Sequence, residues 1–263
     1  MVAGALATTR TIMPLGCTHC QAENGDPAID IAFQPIFDLR VQVAGGYEAL
    51  VRGPNGESAA TVLAAVGDAE KHRIEQRIRV LAIEKAAALG LIATGAALSI
   101  NILPSAVTEA ERCLGQTIAA VRRVGLETRR VVFEFSEQAK LDVAHARALV
   151  ATYKAHGFRT ALDDFGDGYA GLVALAEVPT DIVKLDIGLI HGIDRSPERQ
   201  AIVGGLVGML GALGRTVVAE GIETAGELAM VRKLGIDRVQ GFFLGRPSLS
   251  ELQREPYDVS VVA

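Results

Sequence analysis

The stretch from Ile182 to Glu220, IVKLDIGLIHGIDRSPERQAIVGGLVGMLGALGRTVVAE, reads as one complete strand, helix and strand. Its first run, Ile182–Asp186, is a short apolar segment of strand length that carries Lys184 and ends on Asp186. Ile202, Leu206, Met209 and Leu213 then recur at spacings of three and four, the period that lines one face of a helix. Gly214 follows the last of them, where a helix end needs a residue that tolerates a left-handed turn. Val217–Glu220 begins the next strand. Two strands joined through a helix imply parallel neighbours.

The same alternation extends in both directions. Further strand runs are Ile31–Ile36, Tyr47–Arg52, Leu98–Leu103, Val131–Phe135, Thr160–Asp164 and Arg238–Gly241, and Gly90, Gly125, Gly157 and Gly235 close helical stripes as Gly214 does. Eight runs suit a closed barrel, and a chain of 263 residues suits the roughly 250 that such a fold needs. About ten residues separate the first two runs, too few for a crossover helix, so that pair is expected to be antiparallel. The fold class expected is α/β, a modified TIM (β/α)8 barrel with an antiparallel first strand pair. Residues 1–28 show no sustained period and are expected to form an N-terminal extension, with the barrel spanning 29–263.

Composition narrows the function classes. Apolar residues make up 49% and charged residues 22%, which supports a sizeable core rather than disorder. No apolar run reaches the length of a membrane span, and Met1–Thr9 lacks a secretory core, so a cytoplasmic location is expected. A net charge of -5 provides no basic footprint for a nucleic-acid polymer. Three cysteines without a paired framework agree with a reducing compartment. Cys17-Thr18-His19-Cys20 lacks the second ligand pair of a structural zinc site and reads as reduced thiols, Cys113 reads as packing, and His156 and His191 read as solvated caps.

Polar residues recur at the strand ends: Glu48, Asn101, Glu134, Asp163 with Asp164, Lys184, Glu220 and Gln240. One acid at a strand end is ordinarily a cap or a loop residue. A barrel, however, gathers the carboxyl ends of its strands around one mouth, so the whole set converges there. Five carboxylates and an amide so close together require protons or divalent cations, and all-oxygen ligands suit magnesium or manganese rather than zinc. Two such ions, about 3.5–4 Å apart, support in-line displacement at a phosphodiester.

Glu48-Ala49-Leu50, followed by Val51 and Arg52, resembles the signature of the EAL phosphodiesterases. Gln34-Pro35-Ile36, Ser99-Ile100-Asn101, Glu134-Phe135-Ser136-Glu137, Asp163-Asp164-Phe165-Gly166, Lys184-Leu185-Asp186, Glu220-Gly221-Ile222-Glu223 and Gln240-Gly241 through Gly245-Arg246-Pro247 resemble that family's other blocks in order, from about Ile29 to Leu252. The tripeptide alone means nothing; eight ordered blocks are specific.

The resemblance implies cyclic di-GMP as substrate, linear pGpG as product and a homodimer. It assigns Glu48, Asn101, Glu134 and Asp163 to one metal, with Asp163 bridging to a second that Asp164 and Glu220 reach. Lys184 is expected beside the attacking water as base or stabilising cation, and Gln240 as an orienting group. Arg52 is expected on a substrate phosphate, with Gln34, Leu50 and Asp186 lining the dinucleotide pocket. Glu137 resembles the anchor of the loop Asp164–Leu172, whose Gly166 and Gly168 permit movement. Asp167 stands where a small or hydroxyl residue is common and Ala170 where serine is common, which bears on loop regulation rather than on metal ligation. The run Arg52-Gly53-Pro54-Asn55-Gly56-Glu57-Ser58 resembles EAL domains that accompany blue-light sensors. The alternatives are an effector that binds cyclic di-GMP without cleaving it and a module that uses the barrel only to contact a partner; a complete acidic set favours the enzyme.

Overall fold

The computed structural model describes residues 27–64, 66–102, 110–136, 142–167 and 171–257. The N-terminal Cys17–Cys20 run, Glu137, Gly168 and Ala170 lie outside them. Eight strands close into one barrel in chain order. They are β1 Asp30–Asp38, β2 Val43–Arg52, β3 Ala97–Ile102, β4 Val131–Ser136, β5 Arg159–Phe165, β6 Ile182–Leu185, β7 Thr216–Ala219 and β8 Arg238–Val239. All eight expected runs are strands, with ends shifted by a few residues.

The helices are α1 Ala59–Leu63, α2 Asp68–Ala88, α3 Leu91–Thr94, α4 Ala110–Val124, α5 Val143–Ala155, α6 Gly171–Glu177, α7 Ile187–Ile190, α8 Pro197–Ala212 and α9 Ala225–Lys233. Their ends obey local chemistry. Ser58, Asp142, Ser196 and Thr224 each accept a first-turn amide, and Thr224 with Glu227 completes a capping box on α9. The five glycines expected to end helices all take left-handed φ, from 68° at Gly214 to 91° at Gly90.

A hairpin joins β1 and β2 in antiparallel register, with Gln34 opposite Glu48. Because no helix intervenes, β1 runs against both of its neighbours and also meets β8 antiparallel. That closure is short, with the pairs Phe37–Val239 and Asp38–Arg238 only. The chain returns after β8 to extend it: Phe33 and Ser248 exchange backbone hydrogen bonds of 2.8 and 3.0 Å, and Ala44 donates to the Arg254 carbonyl at 2.9 Å. This C-terminal strap lies beside the strand that has no crossover helix after it.

Strand parity sorts the side chains. In β4, Val131, Phe133 and Phe135 pack outward in the main core, while Val132 and Glu134 share the other face. Ile36, Val132, Ala161, Ile182 and Val218, from five strands, form a separate apolar layer inside the barrel. Two residues further along their strands stand Glu134, Asp163, Lys184 and Glu220, on the same inward parity. From outside, Phe133 is clamped by Tyr153 and Phe158, with ring centroids 4.5 and 5.1 Å away. Burying each such ring contributes roughly 1.5–3 kcal/mol, which holds β4, and so Glu134, against α5.

Candidate metal centre

The inward positions nearest the carboxyl ends of the parallel strands bring one polar residue from every strand to the mouth: Gln34, Glu48, Asn101, Glu134, Asp163, Lys184, Glu220 and Gln240. Glu220 and Gln240 lie one residue past β7 and β8. A Cβ on Gly241 would stand 2.1 Å from the Ile222 carbonyl oxygen, so only glycine lets this turn close against the chain that follows β7.

Lys184 occupies the centre and is 1% exposed. Its ammonium lies 2.8 Å from Asp163 Oδ1, 2.8 Å from Glu220 Oε1, 3.0 Å from Glu134 Oε2 and 3.3 Å from Glu48 Oε2. Glu48 is further fixed by Asn101 Nδ2 and Gln240 Nε2, each donating at 2.8 Å. One ammonium cannot balance this many carboxylates, since two like unit charges 4 Å apart repel by about 4 kcal/mol at an effective dielectric near 20.

The titration pattern shows the excess. Burial, reinforced by Asp163 and Glu48, pushes Glu134 up to about 8. Burial and the neighbouring Asp163 push Asp164 up to about 6. Burial also raises Asp163 and lifts Glu220 well above the usual range. Glu48 goes the other way: burial opposes its charge, but Lys184 and the amide donors of Gln240 and Asn101 outweigh it and lower its pKa. Burial likewise opposes the charge on Lys184, but Asp163, Glu134, Glu220 and Glu48 together raise it well above normal. With the four carboxylates around it, the Lys184 ammonium is held in its charged form.

Two carboxylate triplets emerge, Glu48–Glu134–Asp163 and Asp163–Asp164–Glu220, each with ligand oxygens within 4.8 Å of one another and with Asp163 common to both. Gln240 adds a buried side-chain oxygen that has no hydrogen-bond partner among the described residues. Shared acids, all-oxygen donors and an unfilled acceptor fit a pair of hard divalent cations.

Asp164 breaks strand parity. Its φ is 53°, in the left-handed region, and the β5–β6 register slips between Leu162 and Phe165. Ser136 Oγ donates to its Oδ2 at 3.1 Å and holds the redirected carboxylate. Ser136 has the same inward parity as Glu134, a signal legible in sequence though its role was not expected.

The mouth opens into a cleft of about 280 Å3. Gln34 and Asp186 line it. Asp186 does so as the cap of α7, accepting from Gly188 N, rather than as a strand residue. Ile187, Glu223 and Phe242 also line it and were not anticipated; Ile187 and Phe242 are more than 40% exposed. Leu50 instead borders an adjoining apolar crevice with Asn101 and Ser136. Arg52, expected on a phosphate, ends β2 and donates to the Val51 carbonyl at 2.7 Å, and it is not among the residues that line the acidic cleft. His156 and His191 are helix C-caps.

The protein is thus a closed α/β barrel with two carboxylate triplets, sharing Asp163, at its carboxyl mouth. The sequence profile of the EAL domain matches residues 23–247, and the chain belongs to that family. A standalone versatile EAL protein from Vibrio cholerae O395, solved in its c-di-GMP bound form, is 39% identical, with 90% of this chain and 99% of that one covered at a TM-score of 0.85. The Klebsiella pneumoniae BlrP1 manganese/cyclic-diGMP complex is 31% identical over 89% of this chain and 59% of that one, at a TM-score of 0.81. MucR of Pseudomonas aeruginosa, a bifunctional diguanylate cyclase/cyclic di-GMP phosphodiesterase, is 33% identical over 50% of this chain and 19% of its own length. The chain spans about half or less of the length of the curated relatives it matches. No helix among the described residues is long and apolar enough to cross a membrane.

Proposed function

We propose that the chain hydrolyses cyclic di-GMP to linear pGpG with two divalent cations, magnesium or manganese. The observation that carries this is the pair of carboxylate triplets sharing Asp163 around the Lys184 ammonium. Glu48, Asn101, Glu134 and Asp163 would hold one ion, and Asp163, Asp164 and Glu220 the other. Bound there, the ions supply charge neutralisation and acidify water near neutral pH.

The residues themselves do the positioning. Lys184 presents a fixed positive charge where negative charge grows as water adds to phosphorus. Gln240, whose amide nitrogen is bound to Glu48, keeps its oxygen free to orient a water. The P–O3′ ester bond breaks, the 3′ oxygen takes up a proton, and the product retains one 5′ phosphomonoester. Gln34 and Asp186 line the space for the dinucleotide.

A homodimer fits the exposed apolar pair Leu172 and Val173 on α6, 61% and 65% exposed, which follows the Gly166 loop. Glu137 and Arg52 remain proposed contributors to loop anchoring and phosphate contact, and a cytoplasmic location completes the reading. Purified protein incubated with cyclic di-GMP and either magnesium or manganese, followed by nucleotide chromatography, tests the reaction; no pGpG with either metal would overturn the hydrolytic reading.

A further inference from the structure

Glu227, in the first turn of α9, is a buried carboxylate that the metal centre does not use. It is 1% exposed and holds two separate segments of the cleft wall. One oxygen, Oε2, accepts the amides of Glu223 at 2.9 Å and Thr224 at 3.0 Å, at the end of the loop that follows β7. The other, Oε1, accepts the Gly192 amide at 2.8 Å, just past α7, and His191 Nδ1 stands 3.4 Å from it. Burial opposes the charge on Glu227, but the amides of Gly192, Glu223 and Thr224 outweigh it and lower its pKa. A carboxylate with several backbone donors is held as an anion in one place.

Both segments carry groups of the mouth. The loop after β7 starts on Glu220, and its Glu223 lines the cleft; Asp186 and Ile187, at the start of α7, line the cleft too. Glu220 N donates to the Leu185 carbonyl at 3.1 Å and Ile222 N to the Gln240 carbonyl at 3.0 Å, which fixes the near end of the loop. The loop and α7 also press together, since a Cβ on Gly221 would stand 2.3 Å from Ile187 Cγ1. That contact stops α7 from approaching the loop. The bond from Gly192 to Glu227 restrains α7 from moving away, so a contact at its first residue and a tether past its last fix the spacing. Capping α9 would need only the Oε2 side of the carboxylate.

We propose that Glu227 is a positioning residue: it sets the spacing between the Glu220 loop and the Asp186–Ile187 wall, and so acts on manganese binding at Glu220 and on the fit of the dinucleotide. This rests on the cyclic di-GMP reading for its ligands, but not on turnover.

The test titrates the full chain with manganese, the free ion being read by electron paramagnetic resonance, and separately with cyclic di-GMP by calorimetry in chelator. Glutamine has one acceptor oxygen, so Glu227→Gln keeps the size of the side chain and can serve α9 or Gly192 but not both. It is expected to weaken cyclic di-GMP binding and the affinity for one of the two ions by about tenfold each, the scale on which groups that orient a ligand act. The other ion should bind as before. Thr224→Ala removes the hydroxyl cap of α9 and leaves the bridge in place, so it is expected to lower the melting temperature while binding both ligands as the wild type does. Binding by Glu227→Gln equal to the wild type would overturn the positioning role, and so would equal losses in Thr224→Ala, which would reduce Glu227 to a helix cap. A wild type that binds neither manganese nor cyclic di-GMP would overturn the ligand reading and this proposal with it. A wild type that binds both and forms no pGpG would overturn hydrolysis alone.

Discussion

Asp163 and Asp164 are consecutive residues of β5, yet both carboxylates face the barrel mouth and belong with Glu220 to one ligand group. A regular strand would send them to opposite faces. The left-handed φ of 53° at Asp164 reconciles the two, and asparagine, which tolerates that region, supplies the control.

Asp164→Asn is expected to keep stability within about 1 kcal/mol while lowering turnover by on the order of 10²-fold, because it preserves the backbone and removes an anionic ligand. Asp164→Val is expected to cost a further 1–3 kcal/mol, roughly the penalty for forcing a branched residue into left-handed backbone. Denaturant melts beside nucleotide chromatography check both; equal stability of the two variants would show that the backbone at 164 is unstrained.

Lys184→Ala is expected to leave cyclic di-GMP binding in place with metal present and to cut single-turnover rate by on the order of 10²–10⁴. Without metal the same variant is expected to lose about 3–5 kcal/mol of stability, since the carboxylates around Lys184 lose their one central cation. Glu48→Ala should differ by weakening manganese affinity together with rate. Wild-type turnover in Lys184→Ala would reduce that lysine to a structural role.

Stability without metal should fall as pH rises. Glu134 at about 8 and Asp164 at about 6 bind their protons more tightly in the fold than in the unfolded chain. Their folded pKa values are raised, so the native state is favoured at low pH and loses that advantage between about pH 4.5 and 8. Glu48, whose pKa is lowered, contributes in the opposite sense only at more acid pH. Thermal melts in chelator from pH 5 to 8 are expected to decline, and manganese is expected to flatten or reverse the trend; a rising series in chelator would contradict the pattern.

Chelation is expected to abolish turnover without unfolding the barrel, whose apolar core is independent of the mouth. Calcium should restore activity poorly, because its longer and looser coordination misplaces the attacking water. Full turnover in excess chelator would exclude the metal reading.

Deleting residues 1–28 is expected to leave turnover close to intact, since no member of the acidic set lies there. Changing Cys17 and Cys20 to serine should be equally silent. Loss of activity in a folded truncation would replace this reading with a regulatory role.

The sequence by itself determined the barrel, the odd first strand and most of the acidic set, because each follows from short-range rules. Apolar runs of strand length, stripes of period 3.6 and glycines after them define strand and helix one at a time, and a hairpin too short for a helix forces β1 to run backwards. Glu48, Glu134, Lys184 and Glu220 were legible because each sits at a fixed parity near a strand end. Only the tertiary structure decided how these groups meet. Lys184 meets four carboxylates because four strands aim them at one point, a long-range coincidence. Arg52 and Leu50 ended outside the acidic cleft because side-chain direction at a strand's end depends on the loops around it. What Ile187, Phe242 and Ser136 face is fixed by packing between elements distant in the chain, and periodicity along one element cannot report it.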